Sequence, residues 1–309
     1  MSLKNYSVHA ILVSYNPDQL VLASALRQTI EQVDKVWLVD NASKCSPEKW
    51  ISELGLGDSV TLIPMTSNRG VGAAQNVGLS LARQQGASHA LLLDQDSIPD
   101  SGMVCTLVNA CEDLQTDGVR VAAVAPLYKD SLTGLTKDFI RLGWFDFRIS
   151  FERNSNGLQE LGFVISSGSL IPLSVLDVTG LMDESLFIDY VDTEWCLRAQ
   201  SKGYRLFGVS GASMTHSLGD RRLSVGPFRK SSVAFHSPFR YYYIARNSLN
   251  LIQRPYIPLR WRVGEGLRLL TKIVFYSLVG GGRMARLKMI LIGLRDGIKG
   301  VTGRLSKRV

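Results

Sequence analysis

The chain has 309 residues, of which 45% are hydrophobic and 20% are charged, and its formal net charge is +8. This balance excludes a disordered or fibrous protein, and four cysteines without CxxC spacing exclude a disulfide-rich scaffold and argue against structural zinc. No run reaches the roughly 18–20 apolar residues of a membrane-spanning helix, and the polar first residues predict no signal peptide.

Strand-like and helix-like patterns alternate over residues 9–126. Short β-rich runs predict strands, and amphipathic stretches between them predict helices. This alternation predicts an α/β fold with a mostly parallel sheet covered by helices on both faces. The predicted strands are His9–Tyr15, Val36–Val39, Val60–Met65, Ala90–Leu93 and Val119–Pro126, and the predicted helices are Leu20–Gln32, a segment ending near Gln85, and Met103–Leu114.

Polar residues close several of these predicted strands. In parallel α/β sheets, ligands bind at the carboxyl ends of the strands. We therefore expect these side chains to lie along one edge of the sheet and to form a binding site there. They are Ser14, Asn16, Asp40, Asn68, Asp94 and Asp96.

The sequence Asp94-Gln95-Asp96 ends the fourth predicted strand. Two carboxylates one residue apart suit Mg²⁺ or Mn²⁺, which prefer oxygen ligands and share them with substrate phosphates. Three interpretations remain open: a solvated turn, a phosphatase of the haloacid dehalogenase type with Asp94 as nucleophile, and an enzyme that binds a nucleotide-sugar. The phosphatase motif usually follows the first strand, whereas three predicted strands precede it here.

A second acidic segment precedes a predicted helix that ends at Gly203. Asp192 is the candidate general base, because a carboxylate aimed into a cleft can remove a proton from an attacking hydroxyl. The alternative is that Asp192 only caps the helix. Glu194 is predicted to orient the base or to contact the acceptor.

His216 follows a predicted strand over Tyr204–Val209. A metal held by the Asp94 and Asp96 carboxylates needs further ligands, so the imidazole is a candidate ligand. A purely structural histidine is the alternative.

Charge is distributed unevenly along the chain. Residues 1–220 have a net charge of −9, and residues 221–309 have a net charge of +17. Apolar residues at helical spacing interrupt the basic ones, which predicts amphipathic helices with basic faces. We therefore predict a catalytic α/β domain over 1–220 and a basic helical extension over 221–309. The extension is predicted to contact an anionic membrane surface, and the alternative is a solvated extension without a partner.

Taken together, these motifs resemble the family 2 glycosyltransferases with the GT-A fold, and in particular the bacterial dTDP-rhamnosyltransferase group. The resemblance spans about residues 8–250 and implies a Rossmann-like, mixed and mostly parallel sheet flanked by helices. The motifs are Val13-Ser14-Tyr15-Asn16, Val39-Asp40-Asn41-Ala42-Ser43, Asn68-Arg69-Gly70 with Asn76-Val77-Gly78, Asp94-Gln95-Asp96, Val191-Asp192-Thr193-Glu194-Trp195, Arg240-Tyr241-Tyr242-Tyr243 and Arg246-Asn247.

The resemblance implies an inverting, metal-dependent glycosyltransferase that uses Mg²⁺ or Mn²⁺, with dTDP-L-rhamnose as the expected donor. It implies Asp192 as base, although Val191 stands where the family has the first acid of a pair, and it implies Asp96 and His216 as metal ligands. The substrate-binding residues that it implies are Val13, Tyr15 stacked on the base, Asp40 accepting from the N3–H of the base, Asn68, Gly70, Asn76, Asp94 at the ribose, Glu194, Trp195 and Arg246.

The acceptor is expected to be a saccharide on a polyprenyl diphosphate, in cell-surface polysaccharide synthesis at the inner face of a bacterial cytoplasmic membrane. Arg221, Arg222, Arg240 and Arg246 are candidates for the carrier diphosphate, and the alternative is that Arg246 belongs to a packed helix that supports the cleft. A UDP-sugar donor is a further alternative, as is a basic nucleic-acid-binding protein. No nucleic-acid partner is expected, because the basic residues are segregated and carry no binding motif.

Overall fold

The computed structural model describes residues 6–130, 136–137, 139–142, 147–149, 157–216, 221–224, 232–279 and 281–305. The strands in these ranges are β1 (Val8–Ser14), β2 (Lys35–Asp40), β3 (Val60–Pro64), β4 (His89–Asp94), β5 (Ser97–Pro99), β6 (Val121–Asp130), β7 (Thr136–Lys137), β8 (Ile140–Leu142), β9 (Phe147–Ile149), β10 (Leu158–Leu161), β11 (Leu170–Pro172), β12 (Arg205–His216), β13 (Arg221–Ser224) and β14 (Ser232–Phe235). The helices are α1 (Gln19–Ile30), α2 (Glu48–Glu53), α3 (Val71–Gln84), α4 (Met103–Thr116), α5 (Leu176–Thr179), α6 (Val191–Ser201), α7 (Pro238–Ile252), α8 (Leu259–Leu278) and α9 (Arg283–Ile298).

One mixed sheet of ten strands organises the molecule. Its main path runs β10-β12-β6-β11-β4-β1-β2-β3, with β5 on β12 and β7 on β6. Strands β4, β1, β2 and β3 pair in parallel, as do β6 and β12, whereas β11 runs antiparallel between β4 and β6. The carboxyl ends of β1, β2 and β4 therefore meet at one edge, as the sequence predicts.

Both faces of the sheet are buried. Leu22 of α1 and Leu107 of α4 pack on one face, and Leu79 of α3 and Trp195 of α6 belong to the core on the other. The α3 helix approaches the sheet so closely that a Cβ added to Gly78 would lie 2.4 Å from Cγ2 of Ile11. Only glycine fits that position, which fixes α3 against β1.

Three helices, α7, α8 and α9, follow the sheet. They share a small core around Tyr241, Leu269 and Ile290, and α7 also packs on the sheet domain through Tyr242 and Tyr243 beside Phe187. Within the described part of the chain, no helix has both the length and the apolar content needed to cross a membrane. The boundary at residue 220 stays a prediction.

Candidate active site

A cleft of about 700 Å³ opens at the carboxyl ends of β1 and β4. Seven of the predicted site residues line it, and most of them come from the strand ends singled out in the sequence. These seven are Val13, Tyr15, Asn68, Gly70, Asp94, Asp96 and His216. Other lining residues are Asn41, Val71, Gln95, Phe187, Ile188, His236, Phe239, Arg240 and Arg304.

Asp94, Asp96 and His216 form a compact triad in this cleft. One potential ligand atom from each lies within 4.8 Å of the others. The short strand β5 brings the histidine there, because it pairs antiparallel with the end of β12 and sets His216 opposite Ser97. The Ser97 hydroxyl lies 2.9 Å from Nδ1 of His216, and that nitrogen lies 3.4 Å from Oδ1 of Asp96.

The chemistry of the triad suits a divalent cation. Burial is the main cause that raises the pKa of Asp94 to about 6. The negative charges of Asp96 and Asp192 also raise this pKa, whereas the charges of His216 and Arg240 lower it. Crowded carboxylates of this kind are stabilised by a cation, and two carboxylates with one imidazole are a ligand set that Mn²⁺ or Mg²⁺ accepts.

Asp192 lies on the first turn of α6, half-buried. Its Oδ1 accepts from the Thr193 N–H at 2.7 Å, and its Oδ2 accepts from the Ser166 N–H at 3.4 Å. Burial raises its pKa, the backbone N–H groups oppose that shift, and the charge of Asp189 adds to it. The N-cap position belongs to Tyr190, so Asp192 is not the cap. A carboxylate with a raised pKa is a stronger base, which suits proton removal.

A strained loop connects the base to the cleft. Phe187, Asp189 and Tyr190 have φ values of 68°, 61° and 67°, which are rare for residues with side chains. The side-chain amide of Asn247 on α7 holds the loop by donating to the carbonyls of Leu186, Ile188 and Asp189 at 2.8–3.0 Å. These hydrogen bonds from α7 therefore hold the loop in its strained conformation, and the loop in turn positions the start of α6.

Gly70 meets the same loop from the other side. It begins α3 with φ 92°, and its N–H donates to Oδ1 of Asn68 at 3.0 Å. An added Cβ would lie 2.2 Å from the carbonyl oxygen of Phe187. Glycine is required here both for the backbone conformation and for the close approach.

Two predicted nucleotide contacts lie below the cleft surface. The buried Asp40 carboxylate accepts from the Ser14 hydroxyl at 3.0 Å and from the N–H of Ser43 at 2.8 Å. The buried Asn76 amide exchanges hydrogen bonds with the backbone of Met182 at 2.9–3.0 Å. Both side chains organise the loops around the cleft, and neither is among its lining residues.

Glu194, Trp195 and Arg246 are not among the residues that line the cleft, and the substrate contacts expected for them stay predictions. Residues two apart on a helix face opposite sides, so Glu194 points away from Asp192. Its buried carboxylate binds Arg198 at 2.8 Å and Arg254 at 3.1 Å. The Trp195 Nε1–H donates to the Gly180 carbonyl at 3.1 Å.

Arg246 is fully buried and supports the strained loop. Its guanidinium donates to the carbonyls of Leu186 at 2.8 Å and Gly303 at 2.5 Å. These contacts match the alternative interpretation from the sequence, in which Arg246 belongs to a packed helix that supports the cleft. The side chains of Arg221 and Arg222 lie outside the described residues, so their expected diphosphate contact has no structural description.

Arg240 and Arg304 bring positive charge to the cleft. Arg240, which the sequence suggested for a carrier diphosphate, pairs with Asp189 at 2.6 Å. Arg304 was missed: it is far from every motif in the chain, and its Nη1 donates to the Asn68 carbonyl at 3.4 Å. Its segment is held by Tyr243, whose hydroxyl accepts from the Leu305 N–H at 2.8 Å. Only the net charge of the C-terminal part hinted at such a contribution.

A family model and a related protein sequence both describe glycosyl transferases. The family model "Glycosyl transferase family 2" matches residues 10–180. The chain is 27% identical over 299 residues to "dTDP-rhamnosyl transferase RfbF" of Shigella flexneri, an alignment that covers 97% of this chain and 98% of that protein.

Two groups of solved structures share the architecture. GalNAc-T7 with UDP, GalNAc and Mn²⁺ superposes with a TM-score of 0.62 at 13% identity, covering 97% of this chain and 57% of the other. Residues 1–349 of S. aureus TarS with UDP-GlcNAc superpose with a TM-score of 0.59 at 15% identity, covering 96% and 81%. At these identities the likeness shows the fold alone, and it confirms the predicted fold class.

Proposed function

From the membership of this chain in the glycosyl transferase family 2, we propose that it is an inverting, metal-dependent rhamnosyltransferase that uses dTDP-L-rhamnose. The observation that carries the proposal is the Asp94, Asp96 and His216 triad in this cleft. Asp192, the candidate base, lies near enough for its charge to raise the pKa of Asp94, although it is not among the lining residues of the cleft. The Shigella relative, named as a dTDP-rhamnosyl transferase, supports the choice of donor. The phosphatase and nucleic-acid alternatives do not fit this family.

The donor lies along the carboxyl ends of β1 and β4. Tyr15 is 44% exposed at the rim, where its ring can stack on the base, and Val13, Asn68 and Gly70 border the nucleotide. Arg240 and Arg304 face the cleft and supply charge for the two phosphates. Asp40 acts on this pocket from below by fixing the Ser43 loop.

Asp96 and His216, with Asp94, would hold Mg²⁺ or Mn²⁺. When bound, the cation supplies positive charge that stabilises the departing nucleoside diphosphate. Asp192 removes the proton from an acceptor hydroxyl, whose oxygen attacks the anomeric carbon on the face opposite the diphosphate. One such displacement inverts the anomeric configuration.

The α8 helix supports a membrane-surface role. Six apolar side chains at three- and four-residue spacing form one stripe along it, and each is 49–70% exposed. Basic residues flank the stripe, a combination that binds anionic lipid. We call these six residues the α8 stripe: Leu259, Val263, Leu267, Leu270, Val274 and Leu278. The proposed acceptor is accordingly a lipid-linked saccharide, on the inner face of the cytoplasmic membrane.

Donor turnover tests the proposal. The protein is incubated with Mn²⁺ and dTDP-L-rhamnose or a UDP-sugar, and the release of nucleoside diphosphate is followed. We expect dTDP release above UDP release, and in the presence of acceptor an inverted glycoside by NMR. Turnover of UDP-sugars alone supports the UDP-dependent alternative, since the solved relatives hold UDP or UDP-GlcNAc. A product with retained configuration contradicts the mechanism.

A further inference from the structure

Two buried serine side chains lie behind the metal triad, and the mechanism above does not use them. Ser97 and Ser167 are 0% and 3% exposed, and neither is among the lining residues of the cleft. Their hydroxyl groups hydrogen-bond to each other. They can therefore act on a ligand in the cleft only through other residues.

Both ends of this pair of hydroxyls reach the triad. At one end, the Ser97 hydroxyl lies 2.9 Å from Nδ1 of His216, the last residue of β12. At the other end, the Ser167 hydroxyl accepts from the backbone N–H of Asp94, the last residue of β4, at 3.3 Å. The order of the sheet separates β12 from β4 by β6 and β11. The two serines therefore connect members of the triad that come from strands that do not touch.

Ser167 belongs to a short turn before β11, residues 166–169, which we call the serine turn. Backbone hydrogen bonds fasten this turn to β4. The Gly168 N–H donates to the Leu92 carbonyl at 2.8 Å, and the Leu92 N–H donates to the Ser169 carbonyl at 3.0 Å. These bonds fix the Ser167 hydroxyl beside the end of β4.

The serine turn also packs on β12. Gly168 has φ 84°, and an added Cβ would lie 2.5 Å from Sδ of Met214 and 2.9 Å from Cγ of Pro126. Glycine is required here both for the backbone conformation and for the close approach. Because Met214 lies two residues before His216, the turn is held between the two strands that carry the triad.

Hydrogen bonds of this kind can fix the rotation of a metal-binding imidazole. In protein metal sites, a hydrogen bond to the ring usually orients a histidine ligand, and its loss weakens metal binding by about 10–100-fold. A serine hydroxyl can both donate and accept, so Ser97 can hold either tautomer of the His216 ring. Burying a hydroxyl costs free energy unless it is hydrogen-bonded, and alanine would fill a similar volume without that demand. Packing alone therefore does not account for two serines here.

We propose that Ser97 and Ser167 are positioning residues for the metal triad, and that they hold the His216 ring in place beside the two carboxylates. This inference rests on the proposed metal site. Ser97 acts on the imidazole directly, whereas Ser167 acts through Ser97 and ties it to β4. Both hydroxyls are therefore expected to strengthen the binding of a divalent cation, Ser97 more than Ser167.

Titration with Mn²⁺ tests the inference without nucleotide or acceptor. The full chain is titrated, and the free ion is followed by its electron paramagnetic resonance signal. Ser97→Ala is expected to weaken Mn²⁺ binding about 10-fold, and Ser167→Ala by a smaller factor. Ser213→Ala is the matched control on β12, because its hydroxyl bonds to Asp100, which does not line the cleft, and it is expected to keep the wild-type affinity.

A double-mutant cycle with His216→Ala separates positioning from a general structural role. If Ser97 acts through the imidazole, Ser97→Ala is expected to change the Mn²⁺ affinity by less than about 2-fold once the imidazole is gone. The same 10-fold loss with and without His216 would overturn the inference. Wild-type affinity in both Ser97→Ala and Ser167→Ala would also overturn it.

The melting temperature of each variant without metal shows whether it is folded, and if Ser97→Ala does not fold, the cycle with Ser167→Ala decides. Asp96→Asn is titrated in parallel. If Asp96→Asn binds Mn²⁺ as the wild type does, the proposed metal site fails, and this inference fails with it. If Asp96→Asn loses Mn²⁺ while both serine variants keep the wild-type affinity, only the positioning role fails.

Discussion

At the scale of single residues, Asp192 is the proposed general base. It lies on the first turn of α6, close enough for its charge to raise the pKa of Asp94. Its own backbone hydrogen bonds, from Ser166 and Thr193, fix its orientation without neutralising it. These contacts leave a carboxylate that is positioned and unpaired with any cation among the described residues.

Replacing this carboxylate with an amide isolates its role. Asp192→Asn keeps the shape and removes the base, so kcat is expected to fall by roughly 10²–10⁴-fold while donor affinity changes little. Asp177→Asn is the matched control, because Asp177 is an exposed partner of Arg83 and does not line the cleft. A wild-type rate in Asp192→Asn would contradict the role as base.

The pH dependence gives a second view of the same group. Burial raises the pKa of Asp192, and only the deprotonated form accepts a proton. The rate is therefore expected to fall as pH decreases through this raised pKa, at a higher pH than an ordinary aspartate would give. Measurement of kcat/KM against pH at saturating Mn²⁺ checks this, and a flat profile down to the ordinary aspartate range speaks against it.

The sequence predicts the position of a residue well when that position is the end of a strand. It does not predict in which direction a side chain on a helix points. Asp94 and Asp96 follow a buried strand, which fixes their place at the sheet edge. Glu194 shares a motif with Asp192, yet two positions on a helix turn it to the opposite side. Proximity in sequence suggested a common site, and helical geometry divides the two.

At the scale of elements, the strands with strong patterns were predicted to within a residue or two. β1, β2 and β4 are continuous buried runs, and the sequence shows them directly. β11 was missed because three residues carry no periodicity, although it inserts antiparallel beside β4. β12 was predicted to end at Val209, but it passes a register shift between Val209 and Ser213 and continues to His216.

The α8 stripe gives a prediction at this scale. Leu267→Gln with Leu270→Gln removes two exposed apolar side chains, each worth about 1.5–3 kcal/mol when buried. Binding to phosphatidylglycerol vesicles is therefore expected to weaken by more than about 10-fold in a flotation assay. The polar pair Thr271→Gln with Arg260→Gln is the comparison on the same helix, expected to lose about 1 kcal/mol for its one charge. Unchanged binding of the leucine variant would remove the stripe from the membrane contact.

At the scale of the whole molecule, the last described segment of the chain contacts the loop that precedes α3. Arg304 reaches the cleft beside Asn68, and its segment is fixed by Arg246, Tyr243 and Ser185 through backbone groups of residues 303 and 305. Contacts across more than two hundred positions cannot be predicted from local patterns. For this reason the acidic residues of the cleft were predicted from the sequence, whereas the contribution of Arg304 was not.

Arg304 is therefore expected to contribute to donor binding. Arg304→Gln removes a cation beside the proposed diphosphate site, and a charged hydrogen bond of about 1.5–3 kcal/mol corresponds to a loss of roughly 10-fold or more in dTDP affinity. Arg283→Gln, exposed at the start of α9, is the control with the same charge change. Calorimetric titration of both variants distinguishes a local contact from the general charge of the C-terminal helices, and equal losses would favour the latter.

We propose that the triad and the strand-end cleft form a metal-dependent site for a nucleoside diphosphate. The most direct test is the melting temperature with dTDP, UDP, GDP, ADP or inorganic phosphate, each with and without Mn²⁺. A ligand that binds only the folded state stabilises it by RT ln(1 + [L]/Kd). We predict a shift with dTDP that exceeds the shift with UDP, requires Mn²⁺ and disappears in Asp96→Asn. A folded protein that no nucleotide stabilises, or that dTDP stabilises equally without metal, would contradict this assignment of the site.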